Sequence, residues 1–148
     1  MNITLDQIKE LREETGAGIM DVRKALTESG GDTKKAKVWL EKKGLKRAAE
    51  KAERTTEAGY VFSYVHFNGK VGSLIKIACE TDFVAKTEDF QNLGKEIAMQ
   101  VASMKPETVE ELLKQDYLRD PSKTIEGMIK NLSGKTGENI RVVAISSL

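Results

Sequence analysis

Apolar residues return at helical spacing over the first third of the chain, alternate with polar ones in a short middle stretch, and return to helical spacing after it. Leu5, Ile8 and Leu11 share one helical face behind Thr4 and Gln7, which have the spacing of a capping box. That pattern predicts a first helix stopping near Gly16. Ile19, Val22 and Leu26 predict a second short helix between Gly18 and the Gly30-Gly31 pair. Asp32 is a good N-cap for a third, carrying Ala36, Trp39 and Leu40. Gly44 is expected to interrupt it, with Leu45, Ala48, Ala49 and Ala52 continuing the apolar stripe. Residues 1–43 therefore read as three short helices joined by glycine turns. Their few large apolar side chains suit docking better than the enclosure of chemistry.

The pattern changes at Thr55. Residues 58–67 (AGYVFSYVHF) are rich in β-branched and aromatic side chains, Asn68-Gly69 follows, and residues 70–80 (KVGSLIKIACE) alternate. Asn-Gly favours a two-residue type I′ hairpin turn, because both central residues need positive φ, so a hairpin with that turn is expected. Phe90, Leu93, Ile97, Val101 and Met104 then step by three or four up to Pro106, and Val109, Leu112 and Leu113 predict a short helix beyond it. Pro121-Ser122 reads as a helix start, with Ile125, Met128, Ile129 and Leu132 on one face, and residues 139–146 (NIRVVAIS) as a last strand. The expected fold class is α+β, a hairpin and a returning third strand forming a small antiparallel sheet with helices around it. The expected organisation is a helical unit with a basic extension over residues 1–54 and an α+β core over residues 55–148.

Composition sharpens this picture mainly by exclusion. A chain of 148 residues can bury roughly two-thirds of the surface it exposes when unfolded, so it needs no disulfide or metal to fold. Cys79 is the single cysteine and His66 the single histidine, which argues against a disulfide framework, a cysteine-rich zinc site or a histidine cage. No apolar run approaches the roughly 20 residues of a membrane span, and MNITLDQIKE lacks a signal-peptide apolar core, so a soluble, intracellular, reduced protein is expected.

The net charge of +1 conceals three segments: −3 over residues 1–33, +6 over 34–54 and −2 over 55–148. In the basic segment Trp39 is the one aromatic, and Glu41, Glu50 and Glu53 are interleaved with the bases. That reads as a solvated helix with intrahelical pairs three or four apart. Contact with nucleic-acid phosphates or with an acidic protein are the alternatives.

The inventory of reactive groups is thin. His66 sits beside the hairpin tip with no nucleophile in pattern with it, Cys79 reads as a small buried hydrophobe, and Gly16 and Gly18 lack the Lys-Ser/Thr and preceding strand of a phosphate loop. An enzyme with covalent chemistry of its own fits poorly. One junction stands out, where strand 70–80 ends in Glu80-Thr81-Asp82-Phe83-Val84-Ala85. Either Thr81 or Asp82 caps a helix with Phe83 in the core, or Asp82 and Phe83 project as a wedge into a partner. Burying a Phe side chain contributes roughly 1.5–3 kcal/mol, enough to move a partner's equilibrium by about one or two decades.

Residues 8–26 (IKELREETGAGIMDVRKAL) resemble the N-terminal signature of the bacterial elongation factor Ts family, and residues 79–86 (CETDFVAK) resemble its second signature. HFNGKVG at 66–72, DPSKT at 120–124 and GENI at 137–140 extend the resemblance, in order, over nearly the whole chain. It implies a ubiquitin-associated-like three-helix domain ahead of an α+β core. It also implies a cytoplasmic guanine-nucleotide exchange factor for elongation factor Tu in translation elongation, with no covalent chemistry, cofactor or metal of its own. Thr81, Asp82, Phe83 and Val84 match the family motif, whose Asp-Phe pair enters the nucleotide domain of elongation factor Tu and perturbs the ligands of its magnesium ion and phosphates. Met20 matches the surface that docks on that domain, and Arg23 stands where the family often has Lys. The same N-terminal signature would also serve packing of the small bundle. His66 receives no role, and Gly16 and Gly18 are structural turns in this reading.

The resemblance is to the short form of the family, in which two subunits can together supply the complete core. Short members usually continue past the last strand with an arginine- and aromatic-rich segment, whereas this chain ends at Val142-Val143-Ala144-Ile145-Ser146-Ser147-Leu148. Monomer and homodimer both stay open on this reading, with the last strand as the expected interface. Direct nucleic-acid binding and a membrane association are not expected. A non-exchanging adaptor, tethered by its helical module, is the other functional class, and a nucleic-acid binder acting through residues 34–54 a third.

Overall fold

The computed structural model describes residues 3–148. Helix α1 (Leu5–Thr15) begins with the expected capping box, in which the Thr4 hydroxyl accepts from the Gln7 amide while the Gln7 side chain accepts from the Thr4 amide. Gly16 ends it in the left-handed region at φ 64°, which costs glycine nothing. Helix α2 (Ile19–Glu28) follows Gly18, and α3 (Thr33–Lys51) starts where the Asp32 carboxylate accepts from the Lys34 and Lys35 amides. Leu11, Val22, Ala25, Leu26, Ala36 and Leu40 bury together, with Ile8 and Trp39 packed around them.

Two expectations about α3 are corrected. Gly44 does not interrupt the helix, which runs unbroken from Thr33 to Lys51. A mid-helix glycine costs about 1 kcal/mol relative to Ala, but here α7 (Ile125–Thr136) packs on α3 with Gly134 against the Gly44 backbone, and that packing holds the helix continuous. The basic side chains also pair differently from the expectation. Among the described residues only Lys35–Asp32 is local; Lys37 reaches Glu14 (3.3 Å), Lys43 and Arg47 both reach Asp21 (2.5 and 3.0 Å), and Arg54 reaches Glu80 (3.7 Å). The acidic first segment and the basic second one are thus partners across helices.

Strands β1 (Ala58–Val65), β2 (Gly72–Cys79) and β5 (Arg141–Ser147) form an antiparallel sheet in the order β1-β2-β5. The hairpin forms, but its turn is not type I′. The His66 amide bonds to the Val71 carbonyl and the Gly69 amide to the His66 carbonyl, leaving a longer loop in which Asn68 accepts from the Lys70 amide. Among the described residues Lys105 is the one non-glycine with positive φ, so Asn68 does not adopt the conformation that a type I′ turn demands.

Beyond β2 come α4 (Asp82–Ala85), α5 (Glu88–Met104) and α6 (Val109–Lys114). Lys105, held left-handed at φ 48° just before Pro106, closes α5, because a residue preceding proline is disfavoured in the helical region. The expected helix start at Pro121-Ser122 is a correction. Residues 116–117 (β3) and Asp120–Thr124 (β4) pair as a small ribbon, and α7 begins only after Thr124, whose hydroxyl accepts from the Gly127 amide. Thr124 is the stronger cap, and proline is tolerated in a short edge strand.

One sheet face carries the main core. Phe62, Ile75, Ile77, Cys79 and Val142 meet Phe90, Leu93, Ile97 and Val101 of α5, Leu112 of α6, and Ile125, Ile129 and Leu132 of α7. On the other face Ala78 is buried, while Val61, Val65 and Leu74 are exposed. Val143 is the extra residue of a bulge in β5, opposite the Lys76–Ile77 step, and is exposed as well.

Candidate functional site

The junction after β2 is ordered by its own cap and by a clamp from a distant segment. Thr81 is extended (φ −130°, ψ 153°) and its hydroxyl accepts from the Val84 amide, which starts the single turn of α4. Each helical residue turns the side chain by about 100°. Ala85 therefore buries and Val84 packs against the core, while Thr81, Asp82 and Phe83 face solvent, Phe83 at 88% exposure. Of the two readings left open by the sequence, the capping half holds for Thr81 and the placement of Phe83 in the core does not.

The clamp comes from the turn between α7 and β5. Glu138 accepts from the Glu80 and Thr81 amides with Oε1 (3.1 and 2.9 Å) and from the Thr81 hydroxyl with Oε2 (2.7 Å). Glu80 returns the contact, its Oε1 accepting from the Asn139 amide at 2.8 Å. The buried Asn139 side chain donates to the Ala52 and Arg54 carbonyls (3.2 and 2.8 Å), so the end of α3 joins the same node. Cys79 is a buried hydrophobe, as expected. Burial first, and the Glu138 charge second, push its thiol above the ordinary value, and Sγ donates to the Thr81 carbonyl.

Met20 and Arg23 sit a turn apart on α2, both exposed, Met20 at 73%. Leu5, Ile8 and Ile19, with Lys9, Arg12 and Glu13, line a shallow groove on the same helical unit. The two sets of predicted residues therefore lie on separate elements, one beside the main core and one on the N-terminal cluster. His66 accepts or donates through Nδ1 with the Tyr64 hydroxyl (2.8 Å) and packs at a tilt against Phe67. It borders a cleft of about 390 Å³ whose far wall is Tyr117, hydrogen-bonded to Glu96. Among the described residues no cluster of His, Cys, Asp and Glu could hold a metal ion, and no helix is long and apolar enough to cross a membrane.

Glu80, Glu138 and Asn139 are the parts of this site that sequence reasoning missed. Their contacts span 57 to 87 positions of chain, so no local pattern announces them.

The profile of the family described as "Elongation factor TS" matches residues 80–148, which begin at this junction. A protein named "Elongation factor Ts" in Thermotoga petrophila is 41% identical over 185 positions, covering 96% of this chain and 93% of the relative. Its namesake in Fervidobacterium nodosum is 46% identical, covering 91% of this chain and 75% of the relative. That of Clostridium kluyveri is 46% identical over 95% of this chain but only 46% of its own length. The Thermotoga alignment is longer than the 148-residue chain, so that relative carries residues within the aligned span that have no counterpart here. Fold, junction and relatives together define a translation elongation factor. Within that class, the chain belongs to the elongation factor Ts family.

Proposed function

We propose that this chain binds elongation factor Tu, in its GDP-bound and nucleotide-free forms, and accelerates GDP release by inserting Asp82 and Phe83 near the partner's magnesium and phosphate site. The observation that carries the reading is Phe83, a large apolar side chain held in solvent on a turn with its own cap. A phenylalanine that the core does not use gains roughly 1.5–3 kcal/mol only when something else buries it. Asp82 beside it supplies the charge that competes for a cation or repels a phosphate. Thr81 caps the turn and Val84 anchors it.

The mechanism is differential binding. An exchange factor binds the nucleotide-free partner more tightly than the GDP-bound one, and by linkage weakens GDP binding by the same factor. No bond is made or broken and no cofactor is required. Residues 1–54 act as a ubiquitin-associated-like docking unit through Met20 and Arg23, residues 55–148 as the core, and the setting is the cytoplasm. Nucleic-acid contact through residues 34–54 is disfavoured, because Lys43 and Arg47 are engaged by Asp21.

A second copy of this chain is the proposed cover for the open sheet face. Val61, Val65, Leu74 and the bulged Val143 form its apolar part, and symmetric dimers are the commonest means of burying such a surface. The deciding measurement for the main reading is release of fluorescent GDP from purified elongation factor Tu with and without the chain. Acceleration at substoichiometric chain supports it; binding without acceleration would leave the adaptor class instead.

A further inference from the structure

Helix α4 is one turn long, with backbone bonds from Ala85 to Thr81 and from Lys86 to Asp82, both beyond 3 Å. Isolated helices shorter than about a dozen residues do not hold in water. The geometry of Asp82 and Phe83 therefore has to come from outside the turn, and three of the donors at its entrance end on one carboxylate, that of Glu138.

We propose that Glu138 is the positioning residue of the wedge, and that its reciprocal bonding with Glu80 is the lock that holds Asp82 and Phe83 in their projecting orientation before any partner arrives. Three features point this way. Both oxygens of Glu138 are used, on two successive amides and the capping hydroxyl, so the carboxylate fixes the direction in which the chain leaves β2. The Thr81 hydroxyl donates to Oε2 at 2.7 Å, a full-strength O–H···O bond that fixes the capping side chain as well as the two amides. The lock also closes in both directions, since the Glu80 carboxylate holds the Asn139 amide and lies 3.7 Å from Arg54, next to the carbonyls that Asn139 binds. The same turn thereby ties the projecting residues to the end of α3, so the wedge keeps one orientation relative to the helix that leads from the docking unit.

A preorganised wedge loses little freedom on insertion, and this advantage appears in the inserted complex rather than in docking. The role rests on the exchange reading above, but the lock itself does not. The test uses the full chain as wild type, Glu138→Ala and Glu138→Gln, the last retaining an oxygen for the amides and an NH2 for the Thr81 hydroxyl.

Amide hydrogen exchange of the free chain is read first. In Glu138→Ala the Glu80 and Thr81 amides are expected to lose protection while those of β2 and α5 keep theirs, with partial recovery in Glu138→Gln. GDP release from elongation factor Tu is read second. The maximal acceleration is expected to fall about tenfold in Glu138→Ala, about 1.4 kcal/mol, with the half-saturating concentration nearly unchanged, and to recover partly in Glu138→Gln. Unchanged protection at Glu80 and Thr81 would overturn the lock. Lost protection with full acceleration would overturn the positioning role. A loss seen only in half-saturation would assign Glu138 to docking, again overturning it. If Glu138→Ala does not fold, Glu138→Gln carries both readings, and wild-type values in both would overturn the proposal. If the wild-type chain itself gives no acceleration, the exchange reading fails and hydrogen exchange still decides the lock.

Discussion

Gly44 and Gly134 meet backbone to backbone where α3 and α7 pack together. A Cβ added to Gly134 would lie 2.6 Å from the Gly44 carbonyl oxygen and 2.7 Å from its Cα. No flexible side chain can give way there, so the helices themselves must part. Gly134→Ala is expected to destabilise the protein by about 1–3 kcal/mol through overpacking, despite the helix propensity that alanine adds. Urea denaturation checks this, and a stability equal to or above wild type would show that the helices can separate at little cost.

The exposed Asp82-Phe83 pair leads to the opposite expectation for stability. Phe83→Ala combined with Asp82→Ala removes groups outside the core, so unfolding free energy should change by no more than about 0.5 kcal/mol. Acceleration of GDP release should fall by about one to two decades, the worth of one buried Phe. Circular dichroism melts and stopped-flow GDP release report the two quantities separately. Wild-type exchange by a folded double variant would deny the wedge its role.

Asp21 joins α2 to α3 and makes the helical unit sensitive to acid. Its bond to Lys43, with the charge of Arg47 beside it, holds the carboxyl below its ordinary 3.8 against the opposing effect of burial. Because the folded-state value is the lower one, the contribution is present above pH 3.8 and is lost as pH falls from there through the folded value. Asp21→Asn should therefore lower the melting temperature at neutral pH and flatten its decline over that acid window. Thermal melts of both proteins across the window check this, and parallel curves would mean that the pair contributes nothing to folding.

At alkaline pH the sign reverses through Tyr117. Burial, then its hydrogen bond to Glu96, pushes the phenol up to about 12 from 10.0. The folded state keeps the proton longer, so this contribution is complete below pH 10 and is lost as pH rises toward 12. Spectrophotometric titration of the three tyrosines should show one ionising late, and Tyr117→Phe should remove that late component.

Self-association is tested on the open sheet face. Val61→Lys and Val143→Lys place charge on exposed positions without entering the core, whereas Ile145 packs against the core and its replacement would confound folding with assembly. Light scattering over a wide concentration range should show a dimer in the wild type and a monomer in the double variant. A monomer mass for the wild type throughout would remove the second copy from the account.

Much of this architecture is legible because it is local. Thr4 and Gln7, Gly16, Asp32 and Pro106 announce helix ends through bonds or steric limits acting within a few residues, and the alternating pattern after Thr55 announces the hairpin and the core face of the sheet. The errors arise where a local signal competes with packing. Asn68-Gly69 favours a tight turn, but the register of Val65 with Gly72 leaves a longer loop. Gly44 favours a break, but the packing of α7 against α3, with Gly134 set on the Gly44 backbone, holds the helix continuous. Pro121 favours a helix start, but Thr124 offers the better cap and residues 120–124 pair with β3 instead.

The sequence by itself determined the α+β class, the helical unit and the TDFV segment that makes the junction recognisable, since each depends on residue types at short spacing. Only the tertiary structure decided that Phe83 points into solvent, because a one-turn helix has two faces and the burial of Ala85 and Val84 selects between them. Only it paired the acids of α1 and α2 with the bases of α3, and only it brought Glu138 to Glu80 and Thr81, 58 and 57 positions away. Those contacts depend on how the chain returns on itself, and that is set by the packing of the whole core.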